Sequence, residues 1–264
     1  MKSTLNNEFY FQIIALLTAF IFVHLVYIGV VRPQAEILIE AQAAALAAGE
    51  IVSTERSLWV VLKDFEQEAC FILGIWAIAI MGFKAKRLNA EKKLLDERLV
   101  DVPEGSKILP EDARSLARTL ETIPKEKLEY LLPRALQGAL QRLESNSGVQ
   151  EVSTAVRDVC EGESQRLDTE LAMIRYIAWA IPSIGFIGTV RGIGSALANA
   201  HEAVAGNIAG VTASLGVAFN STFIALLISI FIMFLSHQLT LHQERLVLDA
   251  SKYCEKNLVR HVQV

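Results

Sequence analysis

Residues 11–31, FQIIALLTAFIFVHLVYIGVV, hold no aspartate, glutamate, lysine or arginine. A helix rises about 1.5 Å per residue, so this run matches a hydrocarbon core about 30 Å thick. Three further runs follow: residues 69–83, 172–199 and 211–236. Inside lipid no water satisfies the backbone, so a spanning segment must close its own hydrogen bonds. No stretch alternates as a strand would. The chain therefore reads as an all-α integral membrane protein with four transmembrane helices. A cleaved leader is the rival reading of 11–31. The run is long for one, Lys2 is the sole early cation, and the small-residue site Ala41-Gln42-Ala43 lies far downstream, which favours a retained span.

The second run is short. It extends back to Leu58–Leu62 only across Lys63, Asp64, Glu66 and Glu68. Orientation follows from the cations near the span ends. Lys84, Lys86, Arg87, Lys92 and Lys93 follow the second span, whereas only Arg32, Arg56 and Lys63 lie between spans one and two. Residues 84–171 are thus expected in the cytoplasm as a helical domain, and residues 32–68 outside as a helical segment. Residues 200–210 form a short external loop. The N-terminal residues 1–10 and a C-terminal helix, 237–264, lie inside. The wet segments carry helix signals too. Residues 34–49 are rich in alanine, while Pro110, Pro124 and Pro133 divide the cytoplasmic region into short helices. Ser147 to Gln150 has capping-box spacing, and no proline follows until Pro182. One long helix is expected from near Val149 into span three, with span four continuing likewise beyond His237.

Span three, stepped at helical spacing, presents Ala178, Pro182, Gly185, Thr189, Gly192, Ala196 and Asn199 on one stripe. Span four does the same with Ala218, Thr222, Ala225 and Ser229. Small residues at this spacing let helix backbones approach closely. Packing alone does not require a hydroxyl on each stripe. Thr189 and Thr222 therefore leave two readings open beside it, a narrow polar path or a clasp for another helix. Arg191 is expensive in a bilayer; it is either a gating charge or an anchor that snorkels to the interface.

No aspartate, glutamate or lysine falls inside the four spans so drawn, and His24 is their one histidine. A proton relay through a membrane needs a titratable group. Any ion carrier is then expected on a second protein. Net charge is −4, with no basic tract, which argues against nucleic acid. Cys70, Cys160 and Cys254 have neither zinc nor disulfide spacing and read as inert thiols. Gly192-x-Gly194 is no dinucleotide fingerprint, because Leu197 occupies the third glycine position and no strand precedes it. Catalytic, metal and cofactor motifs are missing, so no enzyme and no cofactor is expected.

The motif IPSIGFIGTVRGIG (181–194), a short loop, and then LGVAFNSTFIALLISI (215–230) resemble the MotA/TolQ/ExbB proton-channel proteins over roughly residues 150–250. The resemblance implies a homopentamer in the bacterial inner membrane. It also implies two copies of a single-span partner of the MotB/TolR/ExbD kind in the central pore. A membrane aspartate on that partner carries the proton, or sodium in some members, and ion flow drives a motor or stator. Thr189 and Thr222 match the family's threonines and would face the pore. Pro182, Gly185, Gly192, Ala218, Ala225 and Ser229 would line the same ion path or partner-facing surface. Arg191 stands where the best-known members carry a bulky apolar residue. The competing reading is a passive transmembrane scaffold that docks partners through its cytoplasmic helices.

Overall fold

The computed structural model describes residues 2–48, 57–97, 99–100, 107–145 and 148–263. Ser147, expected to open a capping box, lies outside them. Among the described residues every regular element is helical; the one strand-like contact is an isolated parallel bridge between Ile108 and Val262. The helices are α1 (Lys2–Val26), α2 (Arg32–Ala47), α3 (Leu58–Leu62), α4 (Phe65–Leu95), α5 (Ala113–Glu121) and α6 (Lys125–Leu128). They continue as α7 (Leu131–Glu144), α8 (Val149–Glu170), α9 (Ala172–Ala198), α10 (Ala200–Val204) and α11 (Ala209–Asn257). Four helical stretches are long and apolar enough to cross a membrane: Glu8–Gln42, Phe65–Leu95, Val149–Ala198 and Ala209–His261. The protein is an all-α, multi-pass membrane protein.

The chain divides into two compact units. The first comprises Met1–Met81 and Met173–Ser236. Here α1 runs into α2 through a π-helical turn, Tyr27–Val31. Pro33 supplies the cause: it has no N–H to offer the Gly29 carbonyl and its ring crowds that carbonyl, so the helix widens there. Ala19, Val23, Tyr27, Val31 and Ala35 recur every fourth residue and are buried. Tyr27, Val23 and Val31 pack with Ile72, and Phe71, Ile75 and Leu62 join that cluster. Trp76 Nε1 donates to the Gln12 carbonyl at 2.9 Å and ties α4 to α1. The opposite faces of α1, α9 and α11 expose Phe20, Phe22, Trp179, Phe186, Val190, Phe223 and Phe231, among others. Apolar exposure on that scale suits lipid or a protein neighbour rather than water.

The second unit comprises Gly82–Ala172 and His237–Val264. Its centre is α7, which buries Leu132, Leu136, Leu140 and Leu143 along one face. Against it pack Val152, Val156 and Cys160 of α8, with Ala250, Cys254 and Leu258 near the C-terminus. Pro133 sits in the first turn of α7, where a missing N–H costs the helix nothing. Glu163 is the buried charge on α8. It accepts hydrogen bonds from Arg134 at 2.8 Å and from Arg166 at 2.7 Å. Cys70, Cys160 and Cys254 are all buried free thiols.

Two details differ from the sequence expectation. The helix from Val149 is interrupted at Leu171, whose N–H bonds the Asp168 carbonyl at 3.2 Å, a tightened i to i+3 turn. Nothing in the sequence there, which has neither glycine nor proline, signals the break. The second apolar helix starts at Phe65, not at residue 69, so Glu66 and Glu68 belong to its first turn. The two carboxylates are thus continuous with the helix that carries the second apolar run. Ion pairing makes their burial tolerable, as set out below.

Candidate functional site

The site lies where α9 meets α11. From Ala178 onward the buried residues of α9 are Ala178, Ile181, Gly185, Gly188, Gly192 and Ala196. Those of α11 facing them are Ala218, Ser221, Ala225 and Ser229. The approach is close. A Cβ on Gly185 would stand 2.5 Å from the Ala225 Cβ, and one on Gly192 would stand 2.6 Å from the Ala218 amide nitrogen. Side chains cannot fit at these points, so the glycines are what lets the two backbones come together.

Pro182 and Ser229 explain each other. Proline has no N–H, so the Ala178 carbonyl, four residues earlier, loses its helical donor. The Ser229 hydroxyl of α11 donates to that carbonyl at 2.9 Å. A buried acceptor that would otherwise be orphaned is thereby satisfied.

The threonines occupy the edge of this seam. Thr189 and Thr222 are half-buried, one residue beyond the fully packed Gly188 and Ser221. Their hydroxyls hydrogen-bond each other. The Ala218 carbonyl also lies 3.2 Å from the Thr189 hydroxyl and the Gly185 carbonyl 3.2 Å from that of Thr222, so when one hydroxyl donates to the other, only the second is left to donate to a carbonyl. Each hydroxyl has one hydrogen and two lone pairs. The pair can therefore reorganise its bonds to serve a polar group arriving from the open side.

Within one chain the two stripes clasp each other. Gly185, Gly192, Ala218, Ala225 and Ser229 are buried between α9 and α11, Pro182 is half-buried, and Thr189 and Thr222 remain partly accessible. The stripe residues Gly185 and Gly192 meet Ala225 and Ala218, as their spacing leads one to expect, and Gly188, four residues before Gly192, meets Ser221 beside the span-four stripe.

Arg191 does not stand alone. Its Nε and Nη2 donate to Glu66 Oε1 and Oε2, both at 2.7 Å, a two-pronged pair. Asp64 Oδ1 lies 3.6 Å from the same guanidinium, and burial pushes the Asp64 carboxyl up from its ordinary value. The next carboxylate, Glu68, is held by His24 Nδ1 at 2.6 Å and by Arg32 Nη2 at 2.5 Å. The Arg32 guanidinium lies 4.5 Å from the Phe65 ring centroid. Sequence reading treated these acids as an interruption before span two and left their partners unassigned. Among the described residues no group of three or more histidine, cysteine or acidic side chains is placed to hold a metal.

The seam between α9 and α11 falls within the part of the chain that matches a known protein family. Residues 127–252 match the MotA/TolQ/ExbB proton channel family. The resemblance carried by IPSIGFIGTVRGIG is borne out, over a region that runs from α6 through most of α11. The chain thus carries a MotA/TolQ/ExbB region that contains Thr189, Arg191 and Thr222, whereas α1 to α4, with Glu66 and Glu68, lie outside it. That family is one of membrane proton channels, and the match covers 127–252 alone. Comparisons with curated proteins and with solved structures find no match.

Proposed function

We propose that this protein is the pore-forming subunit of an ion-driven inner-membrane motor or channel complex, and that it surrounds a single-span partner whose membrane aspartate carries the ion. The observation that carries the reading is the Thr189–Thr222 hydroxyl pair, half-buried at the edge of an otherwise sealed seam. A hydroxyl donates to a carboxylate and accepts from its protonated form. That suits a site visited by an aspartate that gains and loses a proton. Pro182, Gly185, Gly192, Ala218, Ala225 and Ser229 serve this site by holding α9 and α11 in contact, so that the two hydroxyls stay together.

The wider assignment follows the family. Five copies assemble around two partner chains of the MotB/TolR/ExbD kind. Residues 84–171 and 237–264 extend into the cytoplasm, residues 32–68 and 200–210 face outward, and both termini lie inside. The excess of Lys84, Lys86, Arg87, Lys92 and Lys93 after the second span supports this orientation.

The test is flux through the complex isolated with its own partner in mild detergent and returned to vesicles. Thr189→Val and Thr222→Val each remove a hydrogen bond to a charged group, worth about 1.5–3 kcal/mol. Flux is expected to fall about ten- to a hundredfold while the complex stays assembled by native mass spectrometry. Disassembly of both variants, or an isolated complex with no single-span partner, would sink the reading and favour the passive scaffold.

A further inference from the structure

Glu66 touches the seam beside the threonines although it lies outside the family-matched region. Its side chain lies across α9 at Gly188: a Cβ there would stand 3.1 Å from the Glu66 Cγ. The adjacent Gln67, fully buried, donates from Nε2 to the Ser221 hydroxyl at 3.4 Å and to the Val61 carbonyl at 3.1 Å. The first turn of α4 therefore touches the residue immediately before each threonine, Gly188 on α9 and Ser221 on α11. Successive helical residues point about 100° apart. A contact at 188 and 221 thus closes one side of the seam and leaves 189 and 222 at its edge. Arg191 holds Glu66 in that place through both guanidinium nitrogens.

We infer that Glu66 and Arg191 are positioning residues for ion conduction: their paired fork pins α4 across Gly188 and Ser221 and so holds the Thr189 and Thr222 hydroxyls toward the ion path. The inference rests on the channel reading above. The simpler account is that Glu66 only neutralises a costly cation. The two accounts part when both charges are removed together. A neutralising role is met equally well by two apolar side chains, because a pair between a buried carboxylate and a partly exposed guanidinium is a weak source of stability. A positioning role is not, because leucines carry no directional fork.

The experiment uses the full complex with its partner in vesicles, with a proton gradient imposed and flux read by a pH-sensitive dye. Glu66→Gln, Arg191→Gln and the double variant Glu66→Leu/Arg191→Leu are each expected to lower maximal flux at least tenfold, with the half-saturating proton concentration unchanged. The exchange Glu66→Arg/Arg191→Glu is expected to recover flux to within about threefold of the unaltered complex. A second readout needs no flux. Thr189→Cys is labelled with a small methanethiosulfonate reagent, and its labelling rate is expected to change at least tenfold when Glu66→Gln is added. Unaltered flux in the double leucine variant, or an unaltered labelling rate, overturns the inference. Loss of flux in the unaltered complex alone would overturn the channel reading, and the labelling rate would still decide this one.

Discussion

The bond between Ser229 and the Ala178 carbonyl exists because position 182 is proline, and this dependence is measurable. Ser229→Ala removes the hydroxyl donor at 2.9 Å and leaves the carbonyl without its replacement. Ser229 is 4% exposed and Ala178 6%, so little else reaches the site. An unsatisfied buried acceptor costs about 1–3 kcal/mol. Side-chain hydrogen bonds inside membrane proteins measure lower, about 0.6 kcal/mol on average and about 1.7 at most. A loss of about 1–2 kcal/mol is expected for Ser229→Ala alone. Pro182→Ala restores a backbone N–H at position 182, and that N–H can bond the Ala178 carbonyl within α9. In the Pro182→Ala background, Ser229→Ala is then expected to cost under about 0.5 kcal/mol. The coupling energy of the cycle is about 1 kcal/mol, above the scatter of such measurements. Unfolding by denaturing detergent in mixed micelles, followed by helical circular dichroism, measures all four species. Equal costs of Ser229→Ala in both backgrounds would refute the idea that the serine replaces the bond that proline removes.

Gly192→Ala is expected to destabilise by about 1–3 kcal/mol, because its Cβ would meet the Ala218 amide nitrogen and the Ser214 carbonyl, which are backbone and cannot turn away. Gly194→Ala, where a Cβ meets nothing within 4 Å, is expected to stabilise by up to about 1 kcal/mol; the same unfolding assay compares the two. In the second unit, replacing Arg134 and Arg166 together by methionine leaves the buried Glu163 carboxylate without its cations and is expected to cost about 3–5 kcal/mol. Glu163→Leu is expected to cost much less, since both arginines are more than a third exposed and can hydrate; thermal melting of the purified protein reads the asymmetry. Removing the residues after Asn257 takes Leu258, Val259 and Val262 out of the core and breaks the Ile108–Val262 bridge. At about 1.5–3 kcal/mol per buried apolar side chain, the second unit is expected to become sensitive to limited proteolysis.

The helical class, the four apolar segments and the family could all be read from the order of residues. Each depends on local quantities: an apolar run long enough for a bilayer, prolines and caps at helix ends, and a motif of contiguous residues. That α9 and α11 present small residues to a close partner was legible for the same reason, because helical spacing is a property of sequence. That Ser221 packs against Gly188 while Thr189 and Thr222 stay at the edge of the seam was not, because the crossing of two helices selects the contact row from several that have the same period. The role of Ser229 was equally hidden, since the carbonyl that it satisfies lies 51 residues away in the chain. The largest gap concerned charge. Asp64, Glu66 and Glu68 read locally as a polar interruption, and Arg191 as a lone cation in lipid. Only the tertiary fold brings Arg191 to Glu66 across 125 residues, and His24 and Arg32 to Glu68 across 44 and 36. A burial penalty can be seen in one residue, but the partner that offsets it is defined by distance in space.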